Sequence, residues 1–229
     1  MKQTEFCRRL GLEAPIFLAP MASVTTPAMV AAVSGAGGLG GHGCAAFAAD
    51  ALQAEITALR TLTDRPVNLN FFVHAPPVAD PRREAALRDR LQPLFDEFGL
   101  GDVPAARDVL PPFDRAQLET LMADPPAVVS FHFGLPADAL WKPLQDKGVV
   151  ILSSATTVAE ARWLADRGVD AVIAQGAEAG GHRGTFLSKD WDAAMIGTMA
   201  LVPQVVDAVN VPVIAAGGIA DGRGIAAAL

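Results

Sequence analysis

One histidine stands in a glycine-rich segment where it could exchange a proton with a substrate. The segment Ala177–Gly184 reads AEAGGHRG and includes His182. Histidine side chains titrate near neutral pH and therefore serve as general bases with little change in environment. The glycines of this segment let the backbone approach a flat or phosphorylated ligand closely. We expect His182 to be the catalytic residue; a loop histidine that bonds only to nearby backbone is the alternative.

Polar and small residues that could bind a ligand follow several other apolar runs. Asn70 and Gln175 carry amides that both donate and accept hydrogen bonds, which suits the edge of a heterocyclic ring. The pair Gly217-Gly218 lies between an apolar run and a helical pattern, where backbone amides and the helix dipole suit a phosphate. A tight turn that only needs glycine is the alternative. His132, at the end of a further run, is predicted to line the pocket.

A second glycine-rich stretch, Gly35–Gly43, resembles a dinucleotide-binding fingerprint only superficially. That fingerprint must follow the first strand and open a helix, whereas these glycines precede and form a predicted strand. We therefore interpret the stretch as a tight turn between a helix and a strand. His42, within it, and His74 are predicted to be loop histidines rather than catalysts.

Seven short apolar runs with turn residues at their ends are predicted to be strands. Helical patterns separate them, and Thr157 with Glu160 matches a capping box at the start of one pattern. Buried strands that alternate with amphipathic helices indicate a parallel sheet. Polar residues follow the carboxyl ends of nearly every strand, which favours a closed barrel over an open doubly wound sheet. The predicted strands are Pro15–Ala22, Gly38–Gly43, Pro66–Val73, Ala127–Gly134, Val149–Ala155, Ala171–Ala177 and Val211–Gly218, and the predicted helices include Thr26–Ser34, Ala51–Leu62, Thr157–Arg167 and Met199–Val209.

These elements predict an α/β fold, a (β/α)8 or TIM barrel, as a single domain over residues 1–229. Prolines and charged residues crowd the interval 74–126, which indicates an elaborated connection with helical patterns at Pro81–Phe98 and Asp114–Ala123. An insertion with no catalytic part is the alternative. Only about seven of the eight strands precede Leu229, so we expect a chain truncated at its C-terminus and an incomplete barrel.

Composition and charge exclude several classes of protein. The formal net charge of -7, with scattered basic residues, excludes a nucleic-acid-binding surface. The N-terminus lacks the apolar core of a signal peptide, and no later stretch is long and apolar enough to span a membrane. We therefore expect a cytoplasmic protein. Cys7 and Cys44 lack metal-site spacing, which predicts two buried free thiols and no metal site.

Six motifs, taken together and in order, resemble the nitronate monooxygenases of the class I bacterial type, formerly called 2-nitropropane dioxygenases. Each motif alone is unspecific, but the ordered set spans nearly the whole chain. The motifs are Ala19-Pro20-Met21-Ala22, Gly37-Gly38-Leu39-Gly40, Asn68-Leu69-Asn70-Phe71-Phe72, Ser130-Phe131-His132-Phe133-Gly134, Ala179–Gly184 and Ala215-Ala216-Gly217-Gly218-Ile219.

The resemblance implies an FMN-dependent enzyme that oxidises alkyl nitronates with molecular oxygen to a carbonyl compound and nitrite, through single-electron transfer to the flavin. No nicotinamide is implied for that turnover, and a homodimer is left open. His182 is implied to lie on the substrate side of the flavin ring, where it removes the α-proton of a neutral nitroalkane or orients a nitronate that is already ionised. The residues implied to contact FMN are Met21, Asn70, Gln175, Gly180, Gly217 and Gly218.

Two alternatives to this function remain. The segment around His182 and the turn at Gly217 also resemble the FMN-dependent enoyl-acyl-carrier-protein reductases and the NADH:quinone reductases of the same superfamily. The phenylalanines that flank His132 favour the nitronate enzymes over these reductases. A flavin-binding fragment without turnover is the other alternative. The chain also departs from the family's pattern, because it contains no tyrosine that could take a role in the pocket.

Overall fold

Six parallel strands form one sheet in the computed structural model, which describes residues 4–76, 78–105 and 110–229. The strands follow one another across the sheet in chain order, and each crossover passes through at least one helix, as parallel neighbours require. The fold is therefore mixed α/β, with the sheet forming a curled half-barrel. The strands are β1 Gly40–Gly43, β2 Val67–Phe72, β3 Val128–His132, β4 Val150–Ala155, β5 Ala171–Gln175 and β6 Val213–Ala216. The helices in the described ranges are α1 Glu5–Arg9, α2 Pro27–Gly35, α3 Ala49–Leu62, α4 Pro81–Glu97, α5 Arg115–Ala123, α6 Asp138–Asp146, α7 Val158–Asp166, α8 Thr198–Ala208 and α9 Gly222–Ala228.

Six of the seven predicted strands are confirmed, each with shorter ends. The first, Pro15–Ala22, is wrong as a strand, because it makes only one parallel bridge, between Phe17 and Leu39. Leu18 N donates to Leu39 O at 2.9 Å beside that bridge. The prolines of this segment lack the N–H groups that would extend the ladder. A Cβ at Gly41 would lie 2.2 Å from Leu18 O, so only glycine lets the segment run this close to β1. The closed eight-stranded barrel stays a prediction.

Side chains alternate between the two faces of the sheet, and each face has its own apolar cluster. One face packs against the crossover helices. Its strand residues include Leu69, Phe71, Val129, Phe131, Ile151, Val172 and Ala174. The other face carries the alternate residues Val128, Val150, Leu152 and Ala171. Burial on both faces explains why strands such as β6, VIAA, carry apolar residues at consecutive positions.

Helix α1 packs on the second face of the sheet. Thr4 caps the helix by accepting from Cys7 N at 3.1 Å. Arg9 Nη1 pairs with Asp170 Oδ1 at 2.6 Å, immediately before β5. The apolar side chains that α1 and the turn after it add to the second cluster are Phe6, Cys7, Leu10 and Leu12. The sequence patterns did not predict this helix, which is only five residues long.

Capping agrees with the prediction only in part at helix α7. Thr157 accepts from Glu160 N at 3.2 Å and so caps the helix as predicted. The predicted capping box is wrong, because the Glu160 carboxylate accepts from Thr156 N, at 2.7 Å, instead of from the N–H of the cap residue. A reciprocal capping box does form at α5, between Asp114 and Gln117.

The chain divides into two compact units. The larger comprises residues 1–74 and 112–229 and contains the sheet, and the smaller is Ala75–Pro111. Within the smaller unit, α4 has no buried residue, and Gln92 Oε1 accepts from Val103 N at 3.0 Å. The elaborated segment is narrower than the predicted interval 74–126, because α5 belongs to the larger unit. Pro77 and residues 106–109 of that interval lie outside the described ranges.

Two properties of the described residues bear on the class of protein. None of their helices is long and apolar enough to cross a membrane. Among the same residues, no group of three or more His, Cys, Asp or Glu side chains is placed to hold a metal ion.

Cys7 and Cys44 are both free and buried, as predicted. Burial raises the pKa of the Cys44 thiol, which keeps that group protonated and unreactive.

Candidate functional site

Five of the predicted site residues lie near the carboxyl ends of strands β2, β3, β5 and β6. Asn70 lies in β2, His132 ends β3 and Gln175 ends β5. Alternation along the strands places these three side chains on the sheet face that α1 also covers. Gly217 and Gly218 directly follow β6. The structure therefore gathers these residues along one edge of the sheet, as the sequence predicted.

Met21 lies in a turn beside the end of β1. Its carbonyl oxygen accepts from Thr25 N at 2.9 Å and from Thr25 Oγ1 at 3.0 Å, and its side chain is 37% exposed. His42 connects this turn to α3, because its Nδ1 lies 3.3 Å from Thr25 Oγ1 and its Nε2 lies 2.9 Å from Glu55 Oε2. His42 is thus a buried strand residue, and the prediction of a loop histidine is wrong.

The amide of Asn70 is held in one orientation by the neighbouring strand. Its Nδ2 donates to Ser130 Oγ at 2.8 Å and to Ser130 O at 3.2 Å. Asn68, two residues earlier on the same sheet face, has a buried Oδ1 with no hydrogen-bond partner. Because buried polar atoms are normally paired, this oxygen is an acceptor left open on that face.

The segment that carries His182 is anchored by its main chain. We call residues 182–187 the His182 loop. Gln175 Nε2 and His132 Nε2 both lie 2.9 Å from the carbonyl oxygen of His182. Gln175 Oε1 also accepts from Gly184 N at 2.8 Å, so one amide holds two residues of the loop. These anchors leave the side chain of His182 exposed.

The ring of His182 lies among aromatic side chains. It packs edge-on against Phe72, with ring centroids 5.0 Å apart, and against Phe133 at 6.0 Å. Phe133 has a φ of 74°, a left-handed conformation that is rare outside glycine and costs on the order of 1 kcal/mol. Strain of this kind concentrates at functional sites, where the surrounding structure must impose it. The two rings make an apolar wall beside the histidine.

His132 is a neutral hydrogen-bonding group in this arrangement. Its pKa is lowered from 6.5 to about 4, because burial and, to a smaller extent, the charges of His182 and Arg183 outweigh the raising effect of the hydrogen bond to the carbonyl of His182. Because Nε2 faces a carbonyl oxygen it must donate, so Nδ1 accepts from Ser154 Oγ at 2.6 Å. A Cβ at Gly184 would lie 2.7 Å from His132 Cε1, so only glycine leaves room for this ring.

Arg183 closes the base of the His182 loop. Its guanidinium donates to the carbonyl oxygens of Gln175 and Ala194, which lie at the two ends of the connection between β5 and α8. Burial lowers the pKa of Arg183, and the negative charges of Glu160 and Glu178 oppose that effect. Nε of the same guanidinium is buried without a partner.

Glu178 supplies the cap that the start of α8 lacks. Gly197, at the cap position, has no side chain, and Glu178 Oε2 accepts from Thr198 N at 2.7 Å and from Thr198 Oγ1 at 2.8 Å. These bonds hold the pKa of the Glu178 carboxyl below its usual value. Thr198 Oγ1 also lies 3.0 Å from Gly217 O, which connects α8 to the turn after β6.

The turn after β6 has the backbone that the glycine pair predicts. Gly217 and Gly218 have φ values of 131° and 68°, which residues other than glycine rarely adopt. Asp221 Oδ1 accepts from Arg223 N at 2.9 Å and from Gly224 N at 3.3 Å. Two of the first amides of α9 are therefore occupied by the side chain of Asp221.

Two residues of the site were not predicted from the sequence. Ser154 positions the ring of His132, and Phe72 packs on His182. The alternation of strand residues could have indicated both. Ser154 lies two positions after Leu152, and Phe72 lies two positions after Asn70, so each side chain is on the same sheet face as its predecessor.

Comparison with known proteins gives relatives over the whole described chain. A family model described as nitronate monooxygenase matches residues 4–229. The nitronate monooxygenase of Pseudomonas aeruginosa PAO1 is 49% identical over 226 residues, which are 98% of this chain and 64% of that protein. The nitronate monooxygenase of Paraburkholderia phytofirmans is 46% identical over 222 residues, or 96% of this chain and 60% of that protein.

Solved structures show the same similarity. A nitroalkane oxidase from Streptomyces ansochromogenes has a TM-score of 0.80 and 42% identity, covering 94% of this chain and 63% of that one. FabK from Thermotoga maritima has a TM-score of 0.71 and 31% identity, covering 100% of this chain and 58% of that one. The chain spans only about three fifths of the length of the curated relatives it matches.

Proposed function

Because this chain belongs to the nitronate monooxygenase family, we propose that it oxidises alkyl nitronates with molecular oxygen, using FMN, and releases a carbonyl compound and nitrite. The position of His182 is the observation that supports this proposal most. Its ring is exposed at the carboxyl edge of the sheet, while Gln175 and His132 hold its main chain. An exposed side chain on a fixed main chain suits a group that must meet a substrate in one orientation.

The residues at this edge fit FMN. A Cβ at Gly180 or Gly181 would have no atom within 4 Å, so the chain leaves open space beside His182 for a flat ring. The exposed Met21 offers an apolar surface. The amides of Asn70 and Gln175 already bind Ser130 and the His182 loop, and the second lone pair of each amide oxygen is what they offer to FMN. We assign the phosphate to the turn at Gly217 and Gly218. FMN, when bound, supplies the electron acceptor for the nitronate.

The side chains around His182 have separate tasks in the proposed reaction. With a neutral nitroalkane, an imidazole nitrogen of His182 removes the α-proton; with a nitronate, the ring orients the anion. Phe72 and Phe133 cover one side of the His182 ring and keep water from that side. Neutral His132 keeps a second positive charge away from the base, and like charges nearby would disfavour proton uptake.

The proposed function includes the architecture that surrounds the site. We propose that the six strands belong to an eight-stranded barrel that forms a single flavin-binding domain, since barrels gather the ends of all strands at one mouth. The substrates are a small nitronate and O2. A cytoplasmic location and, as an option, a homodimer belong to the same proposal.

An FMN-dependent reductase that takes electrons from a nicotinamide is the second candidate. Its support is the structural similarity to FabK over the entire chain. The two functions differ in the electron donor to the flavin. In the proposed function the nitronate is both substrate and electron donor, whereas a reductase takes the electrons from NADH.

Oxygen consumption separates these candidates. The purified protein, reconstituted with FMN, is given propionate 3-nitronate in air without NADH, while dissolved oxygen and nitrite are recorded. We expect oxygen uptake with formation of nitrite. No uptake, together with NADH oxidation in the presence of a quinone or an enoyl thioester, would overturn the proposal in favour of the reductase.

A further inference from the structure

Glu160, at the start of α7, is a fully buried carboxyl group. Burial of an acidic group is costly unless hydrogen bonds compensate for the lost water. Four donors surround the carboxylate. Oε2 lies 2.7 Å from both Thr156 N and Thr156 Oγ1, and Oε1 lies 2.7 Å from Phe186 N and 3.0 Å from Leu187 N. Glu160 therefore connects the end of β4 to the far end of the His182 loop.

A carboxylate matches this donor set better than any other side chain. An ionised carboxylate only accepts hydrogen bonds, and three of the four groups that face Glu160 are backbone N–H groups, which only donate. The amide of a glutamine has one oxygen and one NH2 group. In either orientation its NH2 would face at least one backbone N–H, so a glutamine cannot satisfy both sides of the contact.

A chain of hydroxyl groups strengthens the same connection. Thr156 Oγ1 lies 2.8 Å from Thr185 Oγ1, and both threonines are buried. Because the hydroxyl of Thr156 donates to Glu160, the hydroxyl of Thr185 donates to Thr156. Thr185, Phe186 and Leu187 of the His182 loop thus all depend on Glu160, directly or through one threonine.

The His182 loop is consequently anchored at both ends by different elements. Gln175 and His132 hold the carbonyl of His182 at one end, and Glu160 holds the amides of Phe186 and Leu187 at the other. Release of the second end would leave the loop attached through the carbonyl of His182, the N–H of Gly184 and the guanidinium of Arg183, with residues 185–187 free to shift. A displacement of about 1 Å at a reacting group costs on the order of 100-fold in rate.

We propose that Glu160 is a positioning residue for His182, acting through the loop amides it binds. The inference rests on the proposed function, because it concerns the proton that His182 removes from a neutral nitroalkane. A nitronate has already lost that proton, so its oxidation depends less on the placement of the imidazole.

The test compares Glu160→Gln with Thr157→Ala in the FMN-loaded protein. Thr157 caps the same helix, but its side chain does not bind the His182 loop, so its variant reproduces a weaker α7 alone. We expect Glu160→Gln to lower kcat for a neutral nitroalkane by about 10-fold or more, and kcat for the matching nitronate by less than about 3-fold. Thr157→Ala should leave the ratio of the two rates unchanged.

Amide hydrogen exchange provides a readout that needs no turnover. Exchange at Phe186 and Leu187 should accelerate at least about 10-fold in Glu160→Gln and stay unchanged in Thr157→Ala. Equal losses on both substrates, or unchanged exchange at these amides, would overturn the proposal. A wild-type protein that oxidises no nitronate would contradict the proposed function instead, while the exchange result still tests the anchor. If Glu160→Gln does not fold, Glu160→Asp, which shortens the side chain but keeps the carboxylate, is compared in the same two measurements.

Discussion

His132 Nε2 lies 2.9 Å from the carbonyl oxygen of His182, so one histidine of the site holds the main chain of the other. The hydroxyl of Ser154 fixes the tautomer from the opposite side of the ring, at 2.6 Å. A doubly protonated ring would put a second N–H toward Ser154 and a charge into a partly buried position. His132 therefore supports the site as a neutral group, in addition to the pocket role predicted for it.

Stability should depend on pH through His132. Burial lowers the pKa of this residue from 6.5 to about 4, so the unfolded chain binds a proton more readily than the folded one between those values. Neutral His132 makes its full contribution to the free energy of unfolding above about pH 6.5, and this contribution is lost as the pH falls toward 4. The difference corresponds to about 3 kcal/mol at most. Urea unfolding at several pH values in this range measures it.

The variant His132→Asn isolates this contribution from other titrating groups. It lacks the imidazole, so its free energy of unfolding should fall less steeply between pH 6.5 and 4 than that of the wild type. Identical slopes for the two proteins would show that His132 does not titrate as the structure requires.

Loss of the Gln175 amide should destabilise the protein. Gln175→Leu leaves the buried N–H of Gly184 without an acceptor and removes one of two donors to the carbonyl of His182. A buried group left unpaired costs about 1–3 kcal/mol. Gln204→Leu is the matched control, because Gln204 makes an exposed amide bond within α8 and its loss should change stability by less than about 0.5 kcal/mol. Equal effects of the two variants in denaturant unfolding would contradict the role of Gln175.

A methyl group at position 184 should be damaging. In Gly184→Ala the new Cβ would lie 2.7 Å from His132 Cε1 and 2.9 Å from Ser154 Oγ, so the ring must move away from its two partners. Overpacking of this kind costs about 1–3 kcal/mol. We expect a lower unfolding midpoint in urea; a midpoint equal to that of the wild type would mean that the ring has space to spare.

The glycine two positions before His182 should respond differently. A Cβ at Gly180 meets no atom within 4 Å, so Gly180→Ala should keep the stability of the flavin-free protein. If the flavin lies against this backbone, the methyl group should weaken FMN binding, measured by quenching of flavin fluorescence. Unchanged affinity would remove Gly180 from the flavin site.

The sequence predicted all six strands of the sheet and one strand too many, Pro15–Ala22, beside its first edge. Strand β4 is buried along its whole length, and its apolar and small residues form a short run that identifies it directly. Pro15–Ala22 is also mostly apolar, but Pro15 and Pro20 lack the N–H groups that a ladder needs, a signal that the prediction of a strand left out. Glu160 is a similar case, because the spacing to Thr157 suggested a local cap and the carboxylate instead binds across to residues 186 and 187. A contact between residues far apart in sequence produces no local spacing pattern from which it could be predicted.

For the site, the sequence indicated which residues lie at the sheet edge, and the structure adds how they are used. The amide of Gln175 was expected to face a ligand, and in the structure it holds two residues of the His182 loop. Neither the tautomer of His132 nor the anchor at Glu160 could be predicted, because both depend on which partners the fold brings within 3 Å.

Removal of the His182 imidazole tests the central claim most directly. The variant His182→Asn is loaded with FMN, and oxygen uptake is measured with a neutral nitroalkane and with the nitronate prepared from it. Because a positioned base contributes about 100- to 10,000-fold, the rate with the neutral nitroalkane should fall by that order. The flavin absorption should persist, and the nitronate rate should fall far less. Retention of the wild-type rate with the neutral nitroalkane would contradict the assignment of His182 as the base.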